Sequence, residues 1–198
     1  MESVKNIKKQ YKIRNNVLYM LKERKYNVPE DMFNIDFNVF KLKYKNEDLD
    51  FILEKNEEKI YVKFYNKSLT SNTFKSIYKQ IKNIDENFKI LILINQKLSH
   101  PIIKLLKTDE FKDVEVFYSI RFIINITKHE LAAKHILLSD DEINNLLTKY
   151  NCKKNQLKKI KISDPMSEYY AAKLGDVFKI IRKSNSSGLY TDYRVVVE

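Results

Sequence analysis

The first segment with a regular pattern is residues 3–25. Its apolar residues recur at the three- and four-residue spacing of a helix with one buried face. They are Ile13, Val17, Met20 and Leu21. The first half of this predicted helix is basic, with Lys5, Lys8, Lys9, Lys12 and Arg14. A short second helix is predicted at Pro29, because proline suits a first turn and Glu30 and Asp31 follow near the positive end of the dipole.

Apolar and polar residues alternate over 49–65, apart from a polar segment at 55–58. This period of two residues predicts a β-hairpin with one apolar face. Residues 90–94 form an uninterrupted apolar run, which is typical of a central strand buried on both faces. The other predicted elements are helices over 71–83 and 99–107 and a strand over 114–117. Together they predict an α/β layer.

The pattern changes in the region 122–128. Ser139 and Glu142 have the spacing of a capping box, which predicts the start of a helix. That helix is expected to bury Ile143, Leu146, Leu147 and Tyr150. The elements predicted after it are a helix near Asp164 and Pro165 and strands over 177–182 and 189–197. We therefore predict an α/β domain over residues 1–124 and a small mixed α+β domain over residues 125–198.

Glycine occurs only twice, at Gly175 and Gly188. Both are predicted to adopt left-handed turns, the first before a strand and the second within the closing hairpin. The preceding residues must therefore turn without glycine, at Asn, Asp, Ser and Lys.

Composition predicts a folded protein, because 43% of residues are hydrophobic and 12% are aromatic. The net charge of +11 suits a protein that works near nucleic acid, although lysines interleaved with acids also suit an ordinary solvated surface. Cys152 is the only cysteine, so no disulfide forms within the chain. Neither a signal peptide nor a membrane-spanning segment is predicted, and we expect an intracellular protein.

Catalytic motifs are sparse. The three histidines, His100, His129 and His135, have no metal-ligand spacing, and we interpret them as structural or interface residues. The chain has no glycine-rich phosphate loop and no nucleophile elbow. The sequence therefore predicts no metal site and no cofactor.

One enzyme hypothesis concerns a restriction-endonuclease-type core. Asp50 and Lys63 occupy two positions of such a site, an acid on one strand and a lysine on the next. The chemistry needs a second acid two residues before the lysine, because two carboxylates hold the Mg²⁺ that activates water. That position is Tyr61, so we predict a layer that is nuclease-like in shape and not in chemistry.

The region after residue 123 reads Ile124-Asn125-Ile126-Thr127-Lys128-His129-Glu130-Leu131, followed by His135. Further motif positions follow in order: Leu146, Leu147, Tyr150, Gln156, Leu157, Ile160, Asp164, Pro165, Tyr169, Lys173, Gly175, Val177, Lys179, Ile180, Arg182, Ser184, Gly188, Tyr190, Tyr193 and Arg194. This series resembles the assembly domain of the fifth-largest subunit of eukaryotic DNA-directed RNA polymerases, which has a shorter counterpart in the archaeal enzyme.

The N-terminal part resembles the jaw domain of the same family. The matching positions of its first helix are Arg14, Val17, Met20, Leu21, Arg24 and Tyr26. The jaw fold is related to the endonuclease layer considered above. The archaeal counterpart lacks the jaw, so the resemblance implies a eukaryotic source or a large DNA virus. The bias toward Lys, Asn and Ile favours a virus.

Several positions depart from the family pattern. Ala132 and Ala133 replace a Val-Pro pair, and Lys158 replaces a proline. Glu168 replaces a basic residue, Ala171 a glycine and Asn185 an acid. The charge changes put in doubt the ion pairs that the family forms at those places.

The resemblance implies a non-catalytic subunit whose assembly domain docks on the largest polymerase subunit and whose jaw lies near downstream DNA. Nucleotidyl transfer would belong to other chains. The residues expected at the partner interface are His129, Leu131, His135, Asp164, Pro165, Tyr169, Lys179, Arg182, Ser184, Tyr190, Tyr193 and Arg194. Contacts with DNA phosphates are expected from Lys5, Lys8, Lys9 and Lys12.

Alternatives stay open at this point. The predicted interface residues have a second interpretation, in which they hold the small domain together. The chain as a whole has a second interpretation as a free-standing nucleic-acid-binding module or an inactive nuclease relative. A cellular subunit would work in the nucleus, whereas a viral one would work in the host cytoplasm and the virion.

Overall fold

The computed structural model describes residues 2–33, 35–43, 49–129, 132–184 and 188–198. The chain divides into two compact units, Met1–Ile124 and Asn125–Glu198. Each unit is built around one four-stranded sheet, and both sheets mix parallel and antiparallel pairs. The predicted α/β class is confirmed. No helix in the described ranges has the length and apolarity needed to cross a bilayer.

The first unit contains five α-helices and four strands among its described residues. The helices are α1 (Glu2–Glu23), α2 (Glu30–Phe33), α3 (Phe37–Lys43), α4 (Ser71–Ile84) and α5 (His100–Leu105). The strands are β1 (Phe51–Lys55), β2 (Glu58–Tyr65), β3 (Lys89–Ile94) and β4 (Val114–Tyr118). They are arranged in the order β1-β2-β3-β4, with β1 antiparallel to β2 and the other neighbours parallel. The hairpin and the central strand are as predicted, whereas α3 was not predicted.

Strand β3 is buried on both faces, as its apolar run predicts. On one face Ile90 and Ile92 pack in a core with Phe74 and Ile77 of α4. The other face of the sheet carries α1. Two buried arginines mark that contact, because Arg14 of α1 lies over the ring of Phe51 and Arg24, just after α1, lies over the ring of Phe117.

Arg14 is therefore a core residue and adds nothing to the basic surface of α1. Only 1% of it is exposed, and its guanidinium donates a hydrogen bond to the carbonyl of Met32 at 3.0 Å. Arg24 is 8% exposed and pairs with Glu115 at 2.9 Å. The hydrogen bond of Arg14 and the ion pair of Arg24 each offset part of the cost of burying a charge, and they tie α1 and the turn after it to the rest of the unit.

The second unit contains four strands and two α-helices among its described residues. They are β5 (Lys134–Leu137), α6 (Asp140–Tyr150), β6 (Lys158–Lys161), α7 (Pro165–Tyr169), β7 (Val177–Ser184) and β8 (Gly188–Val197). The strand order is β5-β7-β8-β6, with β6 parallel to β8 and the other neighbours antiparallel. Strand β5 was not predicted.

Both helices of this unit begin as predicted. Ser139 and Glu142 form a reciprocal capping box at the start of α6. Asp164 caps α7 by accepting from the Met166 amide at 2.9 Å, with Pro165 in the first turn. The prediction that α6 buries Tyr150 is wrong, because this side chain is 57% exposed at the last residue of the helix.

Helix α6 and the segment after α7 pack on opposite faces of the second sheet. Ile143 and Leu146 of α6 pack against Val177 and Val195, and we call this side the α6 face. On the other side, which we call the α7 face, Phe178, Ile180, Val196 and Ile160 form a core with Ala172 just after α7.

Turns with a positive φ follow the predicted residue types, with one exception. Gly175 and Gly188 have φ values of 88° and 70°, as expected for glycine in the left-handed region. Asn56 and Asn151 adopt this region at the end of β1 and of α6. Ala171 also adopts it, with φ 51°, although its Cβ makes the conformation unfavourable.

We predict that Ala171→Gly raises the free energy of unfolding by about 0.5–1 kcal/mol. The left-handed conformation costs an L-residue about 1–2 kcal/mol, and the greater freedom of glycine in the unfolded chain offsets part of the gain. Urea denaturation measures the difference. Ala133→Gly is the control, because Ala133 lies outside the left-handed region and the same change there should not stabilise. Equal destabilisation by both substitutions would contradict the prediction.

Candidate protein interface

The predicted interface residues fall into separate groups in the structure. Asp164, Pro165 and Tyr169 belong to α7, where Asp164 acts as the cap and Tyr169 is only 5% exposed. Asp164 and Tyr169 therefore contribute to the fold around α7, as Gly175 and Gly188 do at their turns, whereas Pro165 is exposed. Leu131 lies outside the described residues, as does the departure at Asn185.

A cluster of charged and aromatic residues lies on the α7 face. It consists of Lys158 on β6, Arg182 on β7, and Tyr190, Asp192 and Arg194 on β8, and we call it the cationic cluster. The strand register sets these residues side by side, because Arg182 is paired with Tyr190 and Lys158 with Arg194. Period-two alternation along β8 then points its three members to the same side.

Contacts within the cationic cluster are short. The carboxylate of Asp192 accepts from Lys158 Nζ at 3.0 Å and from Arg194 Nε at 3.3 Å. The guanidinium of Arg182 lies 5.0 Å from the ring centroid of Tyr190, a cation–π contact. Lys158 also approaches the Tyr190 hydroxyl at 3.4 Å. The cluster thus holds three cations and one carboxylate, which leaves a net positive surface around an aromatic ring.

The protonation of Asp192 follows from opposing effects. Burial of the carboxylate disfavours its charge, but the hydrogen bonds and positive charges of Lys158 and Arg194 outweigh burial, and they hold the pKa of Asp192 below its usual value. The same hydrogen bond, with a second one to Tyr190, raises the pKa of Lys158. The pair is therefore ionised at neutral pH.

Lys179 and Tyr193 lie on the opposite side of the sheet. They are paired with each other across β7 and β8. Tyr193 lies between Asp192 and Arg194 on β8, and side chains alternate along a strand, so Tyr193 and Lys179 point to the α6 face. Together with Leu146 they line a groove between α6 and the sheet. Lys179 and Arg194, both predicted at one interface, are thus on different surfaces.

The remaining predicted residues are dispersed. His129 is exposed at the end of a 3-10 turn, and Ser184 is the last residue of β7. His135 is half-buried on β5, where its Nδ1–H donates to the carbonyl of Ala133 at 2.8 Å and its ring meets Phe178 edge to face. Within the described ranges no group of three His, Cys, Asp or Glu side chains is placed to hold a metal ion.

The nuclease-like residues of the first unit do come together. Asp50 Oδ2 lies 2.6 Å from Lys63 Nζ and accepts from the hydroxyl of Tyr61 at 3.3 Å. Asp50 Oδ1 accepts from the backbone amide of Phe64 at 2.8 Å. Three donors therefore surround the carboxylate that would bind Mg²⁺ in a nuclease, and Tyr61 is one of them.

The predicted phosphate contacts lie along one stripe of α1. Lys5, Lys8, Lys9 and Lys12 are all exposed. Lys8 and Lys9 lie three and four residues after Lys5, and Lys12 lies four and three residues after them, so all four share one side of the helix. The buried residues Val17 and Leu21 lie on another side of the same helix. We call these four lysines the lysine stripe.

Relatives of known identity match nearly the whole chain. A protein of Dictyostelium discoideum, described as DNA-directed RNA polymerases I, II, and III subunit rpabc1, is 31% identical over 205 residues, covering 98% of this chain and 100% of the relative. The subunit RPABC1 of Caenorhabditis elegans is 30% identical over 202 residues, covering 94% of this chain and 95% of the relative.

Two family models match as well. RNA polymerase Rpb5, N-terminal domain matches residues 4–82, and RNA polymerase Rpb5, C-terminal domain matches residues 124–196. The chain belongs to the Rpb5 family. The C-terminal Rpb5 model spans both the cationic cluster and the groove, and the N-terminal Rpb5 model spans the lysine stripe and Asp50.

Sequence reasoning missed two members of the cationic cluster in this Rpb5-family chain, Lys158 and Asp192. In the sequence Lys158 stands out only as a departure from the family pattern, where a proline is expected. The available signal was the alternation of Tyr190, Asp192 and Arg194 along one strand. The pairing of β6 with β8 was needed to bring Lys158 to them.

We predict that Asp192→Asn lowers stability at pH 7 and that this effect disappears in acid. The folded pKa of Asp192 lies below its unfolded value of about 4, so the carboxylate stabilises the fold above that value and its contribution is lost as the pH falls through the folded pKa. Urea denaturation at pH 7 and at acid pH measures the difference in the free energy of unfolding between the wild-type chain and the variant. Asp109→Asn, an exposed control, should have little effect at either pH. An unchanged Asp192→Asn effect in acid would contradict the prediction.

We predict that Asp50→Ala lowers the free energy of unfolding by about 1–3 kcal/mol, because it leaves partly buried donors without their acceptor. Glu57→Ala, on the exposed hairpin turn, is the control and should change it little. The wild-type chain should cleave neither single- nor double-stranded DNA with Mg²⁺. Mg²⁺-dependent cleavage that Asp50→Ala abolishes would contradict this interpretation of the site.

Proposed function

We propose that this Rpb5-family chain is a non-catalytic structural subunit of a multisubunit DNA-directed RNA polymerase. Its second unit docks on the largest subunit through the cationic cluster, and its first unit lies near downstream DNA. Nucleotidyl transfer and its Mg²⁺ belong to other chains of the enzyme. The subunit works in the nucleus of a cell, or in the host cytoplasm and virion if a virus encodes it.

The observation that carries the docking proposal is the cationic cluster itself. Arg and Tyr are enriched at protein interfaces and often supply most of the binding energy. Here Arg182 and Tyr190 are exposed together, and Tyr190 retains 37% of its surface in the isolated chain. With three cations and one carboxylate, the cluster suits an acidic surface on the partner.

Contacts with Asp192 preorganise two side chains of this cluster. Asp192 is 8% exposed and forms ion pairs with Lys158 and Arg194, and these contacts restrain the two side chains before any partner binds. An ordered side chain loses less conformational entropy on binding. Truncating Arg182 removes no core contact, because it lies on the exposed end of β7.

The lysine stripe supports the proposed place of the first unit. Its four ammonium groups span about 10 Å along α1, given a helical rise of about 1.5 Å per residue. A stripe of exposed lysines attracts phosphates without reading sequence. The Asp50 site supports the non-catalytic role, because its donors replace a metal site.

We predict that Arg182→Ala with Arg194→Ala reduces recovery of the polymerase at least tenfold. Interface arginines of this kind contribute about 2 kcal/mol or more each. The measurement is a pulldown of the tagged full chain from cells that carry its gene, with mass spectrometry of the large subunits. Lys161→Ala with Lys173→Ala removes two exposed charges elsewhere in the unit and should leave recovery unchanged.

Failure of the wild-type chain to recover large polymerase subunits would refute the subunit proposal. Unchanged recovery by a folded Arg182/Arg194 variant would refute only the choice of docking surface. Salt-dependent DNA binding without any polymerase recovery would instead favour a free-standing nucleic-acid-binding module.

We predict that neutralising the lysine stripe weakens DNA binding mainly through salt dependence. Each lost phosphate contact reduces the slope of log K against log salt by about 0.9, so glutamine at all four positions reduces it by about 3 if most of them contact DNA. Fluorescence anisotropy with a random-sequence duplex measures the slope.

The matched control replaces Lys75, Lys79, Lys104 and Lys107, which are exposed on α4 and in and after α5 in the same unit. Both quadruple variants have the same net charge. An equal loss of slope in the two variants would mean that total charge, and not the lysine stripe, governs DNA binding.

A further inference from the structure

A groove of about 300 Å³ opens on the α6 face of the second sheet. Its floor is apolar, made by Leu138, Leu146 and the ring of Tyr193, and Ile136 of β5 forms one wall. Tyr150 extends the apolar surface, because it is 57% exposed and its ring lies 6.0 Å from that of Tyr193. The groove faces away from the cationic cluster.

The charges at this groove are mainly positive. Lys149 and Lys179 flank it from α6 and β7, and no ion pair ties either of them to another described residue. The single carboxylate in its lining is Glu142, which is held in the capping box by the amide and the hydroxyl of Ser139 at 2.8 and 3.2 Å. An occupant with carboxylates beside an apolar side chain fits this arrangement.

The neighbouring strand favours an extended peptide as that occupant. β5 pairs with β7 along one edge, and no other described strand pairs with its second edge. An edge strand offers free backbone groups to an added strand, whose alternate side chains then enter a flanking pocket. Ile136 belongs both to β5 and to the groove wall. The volume is at the lower limit of small-molecule pockets, about 300–1,000 Å³, and suits a few side chains.

We propose that this groove binds an extended acidic segment of a partner protein, with an apolar side chain between carboxylates, by strand addition to β5. Lys149 and Lys179 bind the carboxylates, and the apolar side chain lies on Ile136 and Leu138, the groove residues on and just after β5. The surface is distinct from the proposed polymerase docking surface, so the two can be occupied together.

The test is selection of a random 12-residue peptide display library on the immobilised full-length chain. The expected result is enrichment of sequences with Asp or Glu on both sides of an apolar residue. A selected peptide, measured by fluorescence anisotropy, should bind at least tenfold more weakly to Lys149→Glu with Lys179→Glu. Binding should stay within twofold for the control Lys153→Glu with Lys173→Glu, two exposed lysines of the same unit away from the groove.

Hydrogen exchange supplies the second measurement. Peptide binding should slow exchange of the amides of residues 134–137, and the Arg182/Arg194 variant should show the same protection, because its substitutions lie on the other face. Enrichment of no sequence, or of basic ones, would overturn the proposal. Binding that is insensitive to Lys149→Glu with Lys179→Glu would overturn it as well, whatever the outcome for polymerase docking.

Discussion

The antiparallel pairing of β7 with β8 is the interaction on which the second unit depends. Eight residue pairs, from Val177–Val195 to Ser184–Gly188, fix the register of the two central strands. Because side chains alternate along a strand, this register decides which residues share a face. It sends Arg182 and Tyr190 to the α7 face and Lys179 to the α6 face. One sheet thus presents a cationic surface on one side and a groove on the other.

Asp192 makes the cationic surface compatible with a stable fold. A buried carboxylate is costly unless it is paired and hydrogen-bonded, and here Lys158 and Arg194 supply both contacts. Lys158 stands where the family pattern expects a proline, which has no charge to offer. The edge of the proposed docking face therefore differs from that pattern at Lys158. In the first unit, Lys63, Tyr61 and the backbone amide of Phe64 likewise donate to the partly buried carboxylate of Asp50.

Long, strongly patterned elements could be predicted from the sequence, and short or long-range features could not. The apolar run of residues 90–94 predicted β3, and the capping-box spacing of Ser139 and Glu142 predicted the start of α6. Both elements form as predicted. β5 has only four residues and no clear alternation, so its pairing with β7 alone defines it. Tyr150 followed the helical spacing, yet α6 ends at this residue and its side chain stays 57% exposed. The contact of Lys158 with Asp192 depends on β6 lying beside β8, which no local pattern encodes.

The central claim is that the α7 face meets the polymerase, and site-specific photo-crosslinking tests it most directly. A photoreactive phenylalanine analogue replaces Tyr190 in one version of the full chain and Tyr150 in another, and each is irradiated in the assembled enzyme. We expect a covalent adduct with the largest subunit from position 190 and none with that subunit from position 150. Adducts with the largest subunit from position 150 alone would contradict the claim.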